Sequence, residues 1–288
     1  MISDITLGQF FPGKSPIHRL DPRTKIILAI LFIVGVFLAS NPISFLFLVI
    51  VTAALIPLSG ISFKVILKGI KPIIFVVIFT MIINVFLTTG ENKLVDLGFT
   101  AIYLEGVLKA FFMAIRIVIL IVGSSILLTY TTSPISLTDG IESLLSPLKV
   151  IKVPVHTFAM MMTIALRFIP TLIEETEKIM NAQKSRGADF SSGGLIKKAK
   201  ALIPILIPLF VSSFKRAEEL ATAMECRCYR GDKNRTKLVK LTYKMRDLAW
   251  FIYSLVFLGS IIVLGMLIDY LPVSFSMSTA AKVMFYVI

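Results

Sequence analysis

Two segments of the chain close on an arginine set among small residues: Ala182-Gln183-Lys184-Ser185-Arg186-Gly187-Ala188-Asp189 and Met224-Glu225-Cys226-Arg227-Cys228-Tyr229-Arg230-Gly231-Asp232. If each ends a helix, C-capping accounts for them, with Gly187 and Gly231 left-handed and a basic side chain against the negative end of the helix dipole. The same residues also suit docking. Small neighbours let a helix tip enter a groove on another protein, where a guanidinium grips carboxylates or carbonyls with its planar fork. Repetition of the pattern favours that second reading.

Other reactive residue types point to less. Gly8-Gln9-Phe10-Phe11-Pro12-Gly13-Lys14-Ser15 satisfies the phosphate-loop pattern G-x-x-x-x-G-K-[ST], but that chemistry needs a strand before it and a helix after it. Pro16 follows at once and only seven residues precede Gly8, so the segment reads as an interfacial aromatic anchor, and any ATP-driven work falls to a partner. Cys226 and Cys228 are the only cysteines; on a helix, positions i and i+2 point about 200° apart, and neither His18 nor His156 is near in sequence, so no metal site is expected. Arg116 interrupts an apolar run, where a buried charge must find a partner in protein or water. Met160-Met161-Met162 with Phe158 fill a core or form an adaptable contact surface. With no Ser/His/Asp constellation and no paired buried carboxylates, neither an enzyme nor a cofactor is indicated.

These residues are carried by an unusually apolar chain. Of 288 residues, 56% are AVILMFWYC and 16% charged, and the mean hydropathy is +0.89, which implies an integral membrane protein. The net charge of +13 is met by cytoplasmic loops rich in Lys and Arg, and needs no nucleic acid. Five apolar runs approach the roughly 20 residues that cross a bilayer: 26–39 and 43–58, which are short, then 73–88, 106–130 and 248–268. Lys14, Arg19, Arg23 and Lys25 precede the first run, and Lys64, Lys68 and Lys71 lie between the second and third. That distribution places the N-terminal segment 1–25 in the cytoplasm. Residues 89–105 then form an outside loop, and residues 131–247, with 19 Lys and Arg against 11 Asp and Glu, are cytoplasmic. The last run, within 248–288, leaves the C-terminus outside.

Residues 131–247 do not read as a soluble domain. A short helix over about 135–147 introduces two long ones, about 155–186 and 195–229, apolar first and charged towards their ends. Pro170, Pro204 and Pro208 fall inside them and should bend their axes. Such helices would lie along or under the membrane rather than cross it.

Taken together, Ser15-Pro16-Ile17-His18-Arg19-Leu20-Asp21-Pro22-Arg23-Thr24-Lys25, Thr131-Thr132-Ser133-Pro134, Leu166-Arg167-Phe168-Ile169-Pro170 and the two arginine motifs resemble the transmembrane T component of energy-coupling factor (ECF) transporters, prokaryotic ABC-type importers of vitamins and transition-metal ions. The resemblance implies an all-α, multi-pass protein of the cell membrane. It implies two coupling helices crossing under the membrane, each docking its small-Arg-small motif into one of two ABC ATPase subunits. That role passes to Ser185, Arg186 and Gly187 and to Cys226, Arg227 and Cys228. Because cysteine flanks Arg227 on both sides, Arg230 is an alternative at the second end. The surface around Phe158, Met161 and Met162 would receive a membrane-embedded, substrate-binding S component. The competing readings are a conventional permease with its own substrate path around Arg116, and a membrane enzyme built on the phosphate-loop-like segment.

Overall fold

The computed structural model describes residues 10–39, 41–90, 93–96, 101–188, 190, 194–231 and 241–270. By packing, the chain divides into two units, one of residues 8–140 with 241–288 and one of residues 141–240.

The first unit begins at α1 (Pro22–Leu38), whose start is written locally. Asp21 accepts a hydrogen bond from the Arg23 N–H at 3.0 Å, and Pro22 occupies the first helical position. Next come α2 (Pro42–Ser59) and α3 (Phe63–Ile70). A 3₁₀ turn at Lys71–Ile73 continues α3 into α4 (Ile74–Leu87). The third apolar run is therefore part of a longer helical stretch, Phe63–Leu87, which begins ten residues before the expected boundary. Within the segment expected as an outside loop, β1 (Lys93–Asp96) and β2 (Ala101–Tyr103) pair antiparallel, with Val95 opposite Ile102 and Asp96 opposite Ala101. Helix α5 (Leu104–Ser124) passes into a π-helical turn at Ser125–Tyr130. Helix α6 (Pro134–Leu144) follows, and α9 (Met245–Tyr270) returns to this unit.

The core of this unit is aromatic and aliphatic. Phe32 and Phe257 stack with centroids 6.1 Å apart, Phe47 lies 5.9 Å from Phe257, and Val36, Leu48, Ile126 and Ile261 are fully enclosed. Gly123 allows this approach, because a Cβ there would fall 2.2 Å from the Phe32 ring. No residue of α4 is buried although its sequence is almost wholly apolar. In water such a surface would be costly, whereas hydrocarbon solvates it.

In the second unit, α7 (Val155–Ser185) and α8 (Leu195–Cys226) pack on one another, and each stays helical through its internal prolines. Between α6 and α7 lies a 3₁₀ segment, Ser146–Ile151. Within this unit, which includes the last residues of α6, the Nδ1 of His156 at the start of α7 sits 2.8 Å from Glu142 Oε1.

The all-α, multi-pass class expected from hydropathy is the class observed, with the small hairpin added. Among the described residues five helical stretches are long and apolar enough to cross a membrane: Pro42–Ser59, Phe63–Leu87, Leu104–Tyr130, Val155–Ser185 and Met245–Met266. This set differs from the five apolar runs in one member. The 17 residues of α1 make it shorter than any of these, and α7, read from sequence as a coupling helix, has the length and apolarity of a span.

Candidate coupling site

The two arginine motifs close α7 and α8 with the same backbone device. At the end of α7, Gly187 N–H donates to Lys184 O at 2.9 Å and Ala188 N–H to Gln183 O at 3.0 Å. At the end of α8, Cys228 N–H donates to Glu225 O at 2.8 Å and Tyr229 N–H to Met224 O at 3.0 Å. Both pairs are the crossed bonds of a Schellman cap, which satisfies carbonyls that the helix leaves open. Arg186 (φ −88°, ψ 7°) and Arg227 (φ −91°, ψ 16°) hold the equivalent cap position.

The left-handed residue that follows is Gly187 (φ 87°) in one case and Cys228 (φ 57°) in the other. This corrects the sequence expectation, which gave that role to Gly231. Gly231 does have a positive φ of 74°, but it lies three residues beyond Cys228. The helix stops where the crossed bonds form, at a residue that tolerates the left-handed conformation poorly. Arg230 consequently stands outside the cap that Arg227 occupies.

Ser185, Arg186 and Gly187 are exposed, as are Cys226, Arg227, Cys228 and Arg230. Among the described residues neither Arg186 nor Arg227 has an acidic partner, and Cys226 and Cys228 are free thiols. Two cationic helix ends of matching backbone geometry thus face outward from their unit.

Further back along α7, Phe158, Met161 and Met162 are all exposed, Phe158 to 60%. Sequence reasoning named only these, yet α8 carries the longer apolar face. Leu206, Ile207, Phe210, Val211 and Phe214 are each more than half exposed, and Phe210 and Phe214 meet with ring centroids 4.7 Å apart. Their three-and-four spacing was present in the sequence. The prolines drew the reading towards bends and away from a contact surface.

Arg116 donates through Nη2 to Ala39 O at 2.8 Å, and its guanidinium lies 5.1 Å from the centre of the Phe45 ring. A carbonyl at the C-terminal end of α1 and an aromatic face thereby share the charge.

A second cluster, missed as such in the sequence, joins two of the motifs to the start of α9. Lys25 is 2% exposed, and its ammonium donates to Thr131 O at 2.7 Å and to His18 O at 3.4 Å. Asp247 accepts from the Asp21 N–H and from the Lys244 N–H, both at 2.8 Å, the latter being one arm of a capping box at the start of α9. Arg23 lies over the Tyr243 ring at 5.2 Å. Lys25 precedes the apolar run of α1, and burial lowers its ammonium to about 8 from 10.5, partly opposed by Asp21 and Asp247.

Of the phosphate-loop-like segment, Gly8 and Gln9 lie outside the described residues. The rest folds back as a lid on its own unit. Phe11 N–H donates to Tyr130 O at 3.0 Å, and His18 lies between Ser15 Oγ (2.6 Å) and Phe11 O (2.9 Å). A turn, rather than a helix, follows Ser15, so the structure lacks the helix N-terminus that a phosphate would need.

Apolar helices that expose their side chains, with buried charge held by carbonyls, carboxylates and an aromatic face, define a multi-pass helical membrane protein. The family model described as CbiQ, cobalt transport protein, matches residues 13–238. The chain is 53% identical over 264 residues to the energy-coupling factor transporter transmembrane protein EcfT of Ruminiclostridium cellulolyticum, covering 92% of this chain and 98% of that one. It is 55% identical over 256 residues to the EcfT of Clostridium kluyveri (88% and 93%), and 47% identical over 262 residues to that of Bacillus subtilis (91% and 98%). The chain belongs to this family, the transmembrane components of ECF transporters.

Proposed function

We propose that the chain is the non-catalytic scaffold that couples ATP hydrolysis by two cytoplasmic ABC ATPase subunits to movement of a membrane-embedded, substrate-binding S component, for uptake of a vitamin or a transition-metal ion. The observation that carries this reading is the pair of equivalent caps, each presenting an exposed arginine at the end of a long helix. Closure of the ATPases on ATP pulls Arg186 and Arg227 together, and α7 and α8 pass that displacement to the apolar faces around Phe158, Met161, Met162 and Phe210. The S component rides on those faces and tilts or is released. Positive residues flanking the apolar runs favour a cytoplasmic N-terminus, the side on which ATP is available.

Purification of the native complex tests the reading. Two ATPase subunits and one small hydrophobic subunit are expected in stoichiometric amounts, with no ATP hydrolysis by the isolated chain. Substrate transport by the isolated chain in liposomes would overturn it in favour of a self-contained permease.

A further inference from the structure

A polar cluster joins α7 and α8. Glu175 Oε2 accepts from Arg216 Nη2 at 2.7 Å, and Glu175 Oε1 accepts from the Ser212 hydroxyl. Ser212 and Arg216 are four residues apart, hence neighbours on one face of α8. One carboxylate of α7 is therefore gripped by two adjacent turns of the other helix. Apolar faces slide past one another with little penalty, whereas a partly buried ion pair with a second hydrogen bond fixes one register and penalises others.

The position of this pin along the chain is equally telling. From Glu175 to Arg186 is eleven residues, and from Arg216 to Arg227 is also eleven. At 1.5 Å per residue each arm is ~16 Å long, and at 3.6 residues per turn eleven residues bring the chain back to within about 20° of the same face. The arms are also alike in stiffness. Pro170 precedes the pin on α7, and Pro204 and Pro208 precede it on α8, so every internal proline of both helices lies on the side away from the arginines.

We propose that Glu175, held by Arg216 and Ser212, is the pivot of the coupling helices: a positioning residue that keeps two equal, proline-free arms in register, so that displacement of both arginine ends becomes rotation at one point. The compliant, proline-bearing segments lie beyond the pivot, towards the apolar faces. This proposal rests on Arg186 and Arg227 being the groups that the ATPases move.

The test uses the full complex in lipid nanodiscs, with nitroxide labels on cysteines placed at 184 and 225 and with Cys226→Ser and Cys228→Gly in the background. Distances between the labels are measured by pulsed electron resonance with ADP and with ATP plus vanadate. The intact pivot is expected to give a narrow distribution that shifts between the two states. Glu175→Ala should broaden the distribution and abolish the shift while both ATPases stay bound, and the exchange Glu175→Arg with Arg216→Glu should restore both features. Glu175→Gln, which keeps the hydrogen bond from Ser212, serves if the alanine variant fails to fold, with a broadened and reduced shift expected. An unchanged distribution and shift in Glu175→Ala or Glu175→Gln overturns the pivot, as does failure of the exchange to restore them. Loss of the pivot is distinguishable from failure of the docking reading, because only the latter shows as ATPases retained after Arg186→Ala and Arg227→Ala.

Discussion

The ammonium of Lys25 donates to the carbonyl of Thr131 at 2.7 Å across 106 residues of chain. Thr131 closes the helical stretch that includes α5, so its carbonyl belongs to the negative end of that helix and offsets part of the cost of burying the ammonium. Lys25→Met removes the cation and leaves the carbonyl without its donor, at a cost of about 1.5–3 kcal/mol. Thermal unfolding of the protein in detergent should show the loss.

The same group gives a pH dependence. With its ammonium at about 8 in the folded protein against 10.5 ordinarily, the unfolded chain binds more protons between those values, so stability from this group rises with pH across that window. It is lost as pH falls through 8. The gap in melting temperature between the wild-type protein and Lys25→Met should therefore widen from pH 8 towards pH 10.

For the arginines, capping and docking differ in the size and kind of effect. Loss of a charge at a helix end costs a few tenths to about 1 kcal/mol and leaves a complex intact, whereas loss of a buried contact between proteins costs roughly 2–5 kcal/mol of binding. Arg186→Ala and Arg227→Ala should each weaken ATPase retention in a pull-down by at least tenfold, with Lys a poor substitute. Arg230→Ala should retain both ATPases. If it releases one and Arg227→Ala does not, the second docking residue lies beyond the cap.

Cys228 holds the left-handed position that Gly187 holds at the other end. Cys228→Gly should relieve about 1 kcal/mol of backbone cost and keep the ATPase attached. Cys228→Val places a β-branched side chain there and should fray the end of α8, read as faster amide exchange at residues 224–229. Gly231→Ala should leave that exchange unchanged.

Met161→Asp and Phe210→Asp each put a carboxylate on an exposed apolar face where an S component is proposed to sit. Either should release the S component while the ATPases remain bound, because a buried carboxylate without a partner is costly. Unchanged retention would return these residues to lipid contact or packing.

A single cysteine at position 282, in a background without Cys226 and Cys228, should react with a membrane-impermeant reagent from the outside only. Labelling only from the cytoplasm would change the parity of the spans and remove the five-span topology.

Much of this protein was legible in its sequence because the deciding physics is local. Membrane-spanning character needs only a count of apolar residues, and the end of a helix is announced by the few residues around it, as at Ser185-Arg186-Gly187. The tertiary structure decided the partners. Arg116 meets Ala39 across 77 residues, Lys25 meets Thr131 across 106, and Arg216 meets Glu175 across 41. In sequence each is a charge awaiting an unspecified counterpart, and the counterpart depends on which helix faces lie together. The same reason explains why the left-handed residue that ends α8 is Cys228 and not Gly231. Glycine content ranks candidate stops, while the crossed hydrogen bonds that make one of them the stop form only in the folded backbone.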